Sequence, residues 1–476
     1  MVYLWLGLTV LTEAKPTENT PLAGAPFLRN FNKMFNRIKE KIEYLRGHWF
    51  VKNLIFFQAG NFAANLTQAL IGVFIVRLLQ PENYGIYTLA FSLFGFMTVF
   101  LSLGAQSAST TLLSEAYAKN DKEKTKEVLA FLVKITLILT VPILFGALFA
   151  PWLAGIFYNN YKIGIYAAIL LIASAIGSTF FLFSMMVLQI TRWIKTMTIL
   201  TFSNQFSKSI FSLLLVVGGF GVLGAIVGHL LSAIIILFTS VILWGRVSKQ
   251  YPIFPSARKL IGSIKSAPVK KYLGFSFWIT ADSNLANLYN VLPIMLTGIF
   301  VTTSEVTFFK LAFGYINLAL TFLSPISSLL NVEFPKMKVA EDGKDKLLKN
   351  FVRTSLYSFL FSVVLTVGAI ITAPFVFHIL YGANFNPSIK YVAGLFFYGA
   401  TMGMGVGFGP MWRAINKVKI SIIINAITLS VGVPIGLLLI QNFGLWGTVI
   451  WVSVIFNVSH IASYVLILRE LKRTPA

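Results

Sequence analysis

The sequence predicts an all-α polytopic membrane protein, with about twelve transmembrane helices in two parallel six-helix lobes related by internal duplication. The chain is 57% hydrophobic and only 12% charged, with a mean hydropathy of +0.78. A soluble domain of 476 residues would need far more polar surface. Apolar runs of about 20 residues or more recur, each long enough to cross a hydrocarbon core of about 30 Å as a helix. The second half also repeats the first in one register. Asn83–Phe91 aligns with Glu305–Phe313, both ending in Leu-Ala-Phe, and Ala150-Pro151-Trp152 with Tyr158 aligns with Ala373-Pro374-Phe375 with Tyr381. Arg192, Ile194 and Ile199 align with Arg413, Ile415 and Ile420, and Phe220-Gly221 with Gly224 aligns with Phe443-Gly444 with Gly447. The offsets all fall between 221 and 223, and duplicated helical bundles are a transporter architecture with the substrate site between the halves.

Residues 1–50 read as a cytoplasmic tail and an amphipathic surface helix. The apolar stretch 2–11 is too short to span and has no positive region before it, so it reads neither as a secretory signal nor as a crossing helix. From Phe27 onward Phe31, Met34, Phe35, Ile38, Ile42 and Leu45 recur at helical spacing among basic residues. That fits a helix on an anionic leaflet, the plainer alternative being a solvated start to the first span. Spans follow near 51–79, 85–110, 127–158, 161–190, 196–218 and 221–245, making an N-terminal lobe over 51–248. A basic linker occupies 249–270. The C-terminal lobe, 271–476, holds spans near 272–300, 305–333, 351–380, 389–411, 420–441 and 444–468. Pro142, Pro293, Pro325 and Pro434 interrupt spans, and the tenth carries five glycines before Pro410, a pattern that permits either bending or close packing.

The net charge of +23 would suggest nucleic acid in a soluble protein, but its distribution argues otherwise. Of 39 Lys and Arg, 33 fall in the N-terminal region, alternate loops and the C-terminal tail. This positive-inside bias places both termini and the linker in the cytoplasm of a multi-pass cell-membrane protein. Cysteine is absent, and His48, His229, His378 and His460 have no ligand spacing. No phosphate loop, nucleophile elbow or carboxylate cluster appears. No metal, cofactor or catalytic residue is expected, and an enzyme is not.

The polar residues inside spans carry the functional reading. Gln58, Asn61, Asn65 and Gln68 step by three, four and three, which places them on one helical face. The same stripe recurs in the seventh span as Thr280, Ser283, Asn287 and Asn290. Such stripes serve either interhelical hydrogen bonding or a polar cavity. Lys208 sits near mid-membrane and Lys310 a turn or two below the outer end of its span. Arg77 lies near an outer end, as a site residue or an interfacial anchor. His229 lies at mid-depth, Asp282 is the only deep carboxylate, and Lys134 is close enough to the cytoplasm to snorkel. The lysines need water, a counter-ion or an anionic ligand, and Asp282 could pair with one of them or bind a coupling ion.

Leu78-Leu79-Gln80-Pro81-Glu82-Asn83-Tyr84-Gly85-Ile86-Tyr87 resembles the segment between the first two helices of polysaccharide flippases, with Gln80 in place of the usual glycine. Leu103-Gly104 and the glycine turns at 219–224 and 442–447 fit the same family, within the multidrug/oligosaccharidyl-lipid/polysaccharide exporter superfamily. The resemblance covers about residues 50–470. It implies a flippase that moves a polyprenyl-(pyro)phosphate-linked oligosaccharide from the cytoplasmic to the outer leaflet, with the headgroup in a cationic cavity between lobes. It also implies, as partners, membrane lipids and the glycosyltransferases and polymerase of the same pathway. A multidrug cation antiporter and a lipid II flippase are the alternatives.

Overall fold

A computed structural model describes residues 49–101, 105–265, 267–338 and 343–473. The expected surface helix over 27–45 lies outside the described residues. These fold into helices with no strand among them: α1 (Trp49–Leu101), α2 (Ala105–Ala118), α3 (Lys122–Tyr158), α4 (Tyr161–Ile190), α5 (Ile194–Leu215), α6 (Gly221–Gln250) and α7 (Ala257–Ser263). The chain continues through α8 (Val269–Phe300), α9 (Thr303–Leu320), α10 (Ser324–Lys338) and α11 (Gly343–Val376). Three short helices, α12 (Ser388–Gly394), α13 (Phe396–Met402) and α14 (Phe408–Ala414), lead into α15 (Val418–Arg473). Asp121 and Asn160 cap α3 and α4 through the amides of Lys124 and Lys162, and Thr302 with Glu305 forms a capping box on α9.

Seven of the helical stretches among the described residues are long and apolar enough to cross a membrane, or eight when α12 and the bent α13–α14 rod count as one span. Several are too long for one pass. α15 has 56 residues, about 84 Å at helical rise, against a core of about 30 Å. It breaks at Gly444 (φ 55°, ψ −134°), and the α5–α6 stretch breaks at Gly221 (φ 54°, ψ −136°), a conformation suited to glycine. Each break is a hairpin. Ser212 Oγ donates to Ala225 O at 2.7 Å and Ser207 Oγ meets Ser232 Oγ at 2.6 Å across the first. Ser459 Oγ donates to Asn425 Oδ1 at 3.1 Å across the second. α1 breaks at Gln80 (φ 62°, ψ 167°). The glycine-rich tenth span does bend, by 51° between α12 and the α13–α14 rod.

The matched arginines, by contrast, are not in equivalent places. Arg192 is the left-handed residue of the α4–α5 turn (φ 62°), and in the second half that place belongs to Asn416 (φ 58°), not Arg413. The turns close alike, with Trp193 N–H on Leu188 O and Lys417 N–H on Trp412 O, both at 2.9 Å. A turn made by backbone bonds constrains residue type weakly, so the Arg-x-Ile likeness slipped by a few positions.

The outside of the bundle is apolar. On α3, Leu137, Val141, Leu144, Leu148 and Trp152 recur at helical spacing and are all exposed, as lipid-facing ridges must be. Inside, the packing divides along the helix axes. At the end where Gln80, Gly221 and Gly444 lie (the far end), one core joins both halves, with Leu89, Leu93 and Leu171 packed in the same cluster as Phe309, Ile316 and Trp451. At the opposite end, which carries α7 (the linker end), the core splits. Phe131, Met186 and Trp244 form one cluster, and Phe334, Phe351 and Trp412 another. The halves therefore share a core at the far end and have separate cores at the linker end, where α8 still contacts the first half: Tyr272 packs on Phe131 and donates to Glu127 Oε1 at 2.7 Å.

Candidate functional site

The far end is sealed by backbone brought into direct contact. Thr307 Oγ1 on α9 donates to Pro81 O at 2.6 Å, and Asn384 Nδ2 donates to Gln80 Oε1 at 2.8 Å. Gln80 Nε2 donates back to Arg77 O at 2.6 Å. A Cβ on Gly85 would overlap the Thr303 carbonyl oxygen, so only glycine lets the helices approach this closely. Arg77 is exposed here, its guanidinium beside Gly382, which sets it in the seal and away from mid-span.

Beneath the seal lie the two buried-span lysines. Thr307, Lys310 and Gly314 step by three and four along one face of α9, and Thr307 touches the first half, so Lys310 lies one turn inward from the seal. Lys208 follows Ser207 on α5, with about eleven residues, or roughly 16 Å, between it and the Gly219–Gly221 break. Both lysines are half-buried, and neither has an ion pair or hydrogen bond among the described residues. His229 stands close enough to feel the Lys208 charge. Its Nε2 meets Tyr87 Oη at 3.3 Å, and its ring packs edge-on to Phe91 at 5.0 Å. Tyr84 stacks on Tyr87, extending the aromatic wall towards the seal.

The amide stripe of α1 sits between two environments. Ala64, Ile75 and Leu79 are buried, whereas Phe62, Leu66, Leu70 and Phe74 form an exposed apolar ridge. Asn61 is half-buried between them, and Asn65 and Gln68 are exposed. On α8, Asn287 and Asn290 are exposed, and Asn290 makes one long bond, 3.5 Å to Ala286 O. The side chains of Thr280 and Ser283 lie outside the described residues.

Asp282 pairs with neither lysine. It accepts from Ser421 Oγ at 3.0 Å and lies in the field of Arg413, both in its own half. Ser421 is only three residues into α15, so Asp282 lies towards the linker end and not at mid-depth; α8 starts well outside the apolar stretch, which its sequence does not reveal. Lys134 reaches the linker end. Its Nζ donates to Lys265 O at 2.9 Å and Ala267 O at 3.1 Å, pinning the linker to α3. Three more polar groups stand out only in the structure: Tyr87 on His229, Arg413 near Asp282, and Asn284, whose Nδ2 donates to Val99 O at 2.8 Å between the halves. Tyr87 lies within the Tyr-Gly-Ile-Tyr segment and was findable, whereas Asn284 sits off the stripe and gave no signal.

The far end is closed by direct contacts between the halves, and Lys208 and Lys310 have no acidic partner among the described residues. The family model for polysaccharide biosynthesis proteins matches residues 74–390, which include the seal, Lys208, His229 and Lys310. The chain belongs to that family. A search of curated proteins finds no match. Among solved structures, this polysaccharide biosynthesis protein is similar to an inward-facing multidrug resistance MATE family transporter of the MOP superfamily, with TM-score 0.67 and 16% identity over 86% of this chain and 96% of that one. The outward-facing conformation of a MATE family transporter gives TM-score 0.61 and 18% identity, covering 90% and 98%. The lipid II flippase MurJ in an inward closed conformation gives 0.62 and 14%, covering 88% of each chain. These likenesses establish the fold: the chain is a multi-pass membrane protein with the architecture of MOP-superfamily transporters and flippases.

Proposed function

We propose that the protein flips a polyprenyl-(pyro)phosphate-linked oligosaccharide from the cytoplasmic to the outer leaflet by alternating access, for cell-surface polysaccharide or glycan synthesis. The observation that carries this reading is the pair Lys208 and Lys310, half-buried within spans and unaccompanied by a carboxylate. Charge at such depth faces water or an anionic ligand, and a phosphoryl group supplies the missing negative charge. The exposed amides of Asn65, Gln68, Asn287 and Asn290 suit sugar hydroxyls, with Asn61 beside them. The lipid tail remains in the bilayer, in contact with the apolar exterior. His229 and Tyr87 flank the phosphoryl side of the cleft, Arg77 guards its outer seal, and Asp282 serves coupling at the linker end. In this reading the chain crosses twelve times, six per lobe, with the linker end cytoplasmic. Pathway glycosyltransferases deliver the cargo and the polymerase receives it.

The test is flipping of a fluorescent lipid-linked oligosaccharide in proteoliposomes. Lys208→Ala or Lys310→Ala should abolish it at unchanged protein level, with Lys→Arg restoring part of the rate. Normal flipping by both alanine variants would refute the cationic site.

A further inference from the structure

The second half contains a cavity of about 330 Å³ that the central lysines do not touch. Two interruptions of helical backbone border it: the 3-10 turn Thr321–Leu323 between α9 and α10, and the 3-10 turn Gly403–Gly407 between α13 and α14. Irregular backbone inside a membrane bundle occurs where it is buried in protein or lines a cavity, and discontinuous helices mark binding sites in transporters. In the first half, α4 runs unbroken through the positions that the repeat pairs with Gly403–Gly407, so the cavity belongs to the second half by construction.

The polar groups in its wall are Ser324, Ser327, Arg413 and His460, and no carboxylate lines it. Arg413 Nη1 donates to Asn331 Oδ1 at 3.0 Å. The side chain is otherwise exposed, leaving guanidinium donors free at the mouth. His460 lies deeper, its ring edge-on to Phe408 at 5.6 Å. Gly405 leaves room for it, since a Cβ there would stand 2.7 Å from Nε2. His460 Nδ1 is buried on the side of the Thr401 backbone, so the ring meets the cavity by its other edge. Leu320, Leu323, Met402 and Val406 supply an apolar wall beside these donors. Asp282 lies in the field of Arg413 but outside the lining, and a guanidinium with an imidazole in a wall without a carboxylate disfavours a metal ion or an organic cation and favours an oxyanion.

We infer that this cavity is a loading site for a phosphoryl oxyanion, Arg413 clasping it at the mouth and His460 meeting it inside, next to an apolar wall for a prenyl chain. The inference rests on the flippase reading and deepens it. Lys310 is ten residues from Leu320, about 15 Å along α9. The loading site thus lies towards the linker end and the lysines lie further in, giving the phosphoryl group two successive stations.

The experiment is equilibrium binding of radiolabelled farnesyl diphosphate, farnesol and inorganic pyrophosphate to the full-length protein in detergent. The wild type, Arg413→Gln, Arg413→Lys, His460→Gln and the double variant Lys208→Ala/Lys310→Ala are compared, each with its ligand-free melting temperature. Arg413→Gln should bind farnesyl diphosphate about tenfold or more weakly at an unchanged melting temperature, Arg413→Lys should fall between, and farnesol should be insensitive to all. Tighter binding of farnesyl diphosphate than of pyrophosphate by the wild type identifies a lipid-borne phosphate, and equal binding identifies a free one; both support the oxyanion site. Wild-type affinity in Arg413→Gln and His460→Gln, with loss only in the lysine variant, overturns the loading site and leaves the flippase reading standing. Binding of neither anion by the wild type overturns both. Should Arg413→Gln melt early, the comparison of Arg413→Lys with His460→Gln decides, and wild-type affinity in both overturns the site.

Discussion

A lysine held near the middle of a bilayer costs about 2.5–3.5 kcal/mol on insertion scales and less towards the ends, so Lys208 is expensive, and Lys310 less so, unless something offsets them. A structural ion pair would do so, but the deep carboxylate of the sequence, Asp282, is engaged by Ser421 and sits near Arg413. The two explanations separate in stability. Lys208→Met or Lys310→Met should leave the melting temperature in detergent unchanged or raise it while flipping is lost. A fall of several degrees would mean that an ion pair had been broken. Asp282 gives a second test at this scale. Asp282→Asn should slow flipping and leave sensitivity to cationic drugs untouched, measured as surface polysaccharide and as drug tolerance in the same cells. Erased dye resistance with normal surface polysaccharide would favour a drug antiporter.

Lys134 carries the main lesson at the scale of elements. By sequence it is a cation near a helix end, able to reach water; in the fold its ammonium is spent on two linker carbonyls at Lys265 and Ala267. The linker is therefore attached to α3 rather than slack. Lys134→Met should free it, and limited trypsin digestion should then cut faster after Lys259 or Lys265, with the rest of the pattern unchanged. Equal cleavage rates would show that the pin does not hold. The long apolar helices were legible because hydropathy and length decide them, and the hairpin breaks because Gly221 and Gly444 follow phenylalanine at repeat-related places. Asp282's depth was not legible, since nothing in a 32-residue helix says where the bilayer begins. Nor were the Asn284 bond or the Arg413–His460 cavity, because residues far apart in sequence make them. The Gln80 substitution looked minor, yet its side chain joins the two halves.

For the whole molecule, the distribution of basic residues predicts an orientation that labelling can test. Single cysteines introduced into this cysteine-free chain near Asn159 and Asn384 should react with an impermeant thiol reagent on intact cells, while those near Lys124 and Ser256 should not. Labelling at Ser256 would invert the assignment of the linker end to the cytoplasm.

The shared far-end core and the divided linker-end cores also impose a reciprocity that no single contact reveals. If parting one end and sealing the other are one movement, any compound that fits only the parted cleft must tighten the far seal, and the seal must tighten the compound in return by the same factor. Cysteines at Gln80 and Asn384, joined by a short bismaleimide, would hold the seal shut. The bridged protein should then stop flipping and bind cleft ligands more strongly than the unbridged one. An inhibitor of this transporter therefore need not reach the lysines: occupying the cleft from the linker side is enough to bolt the opposite door.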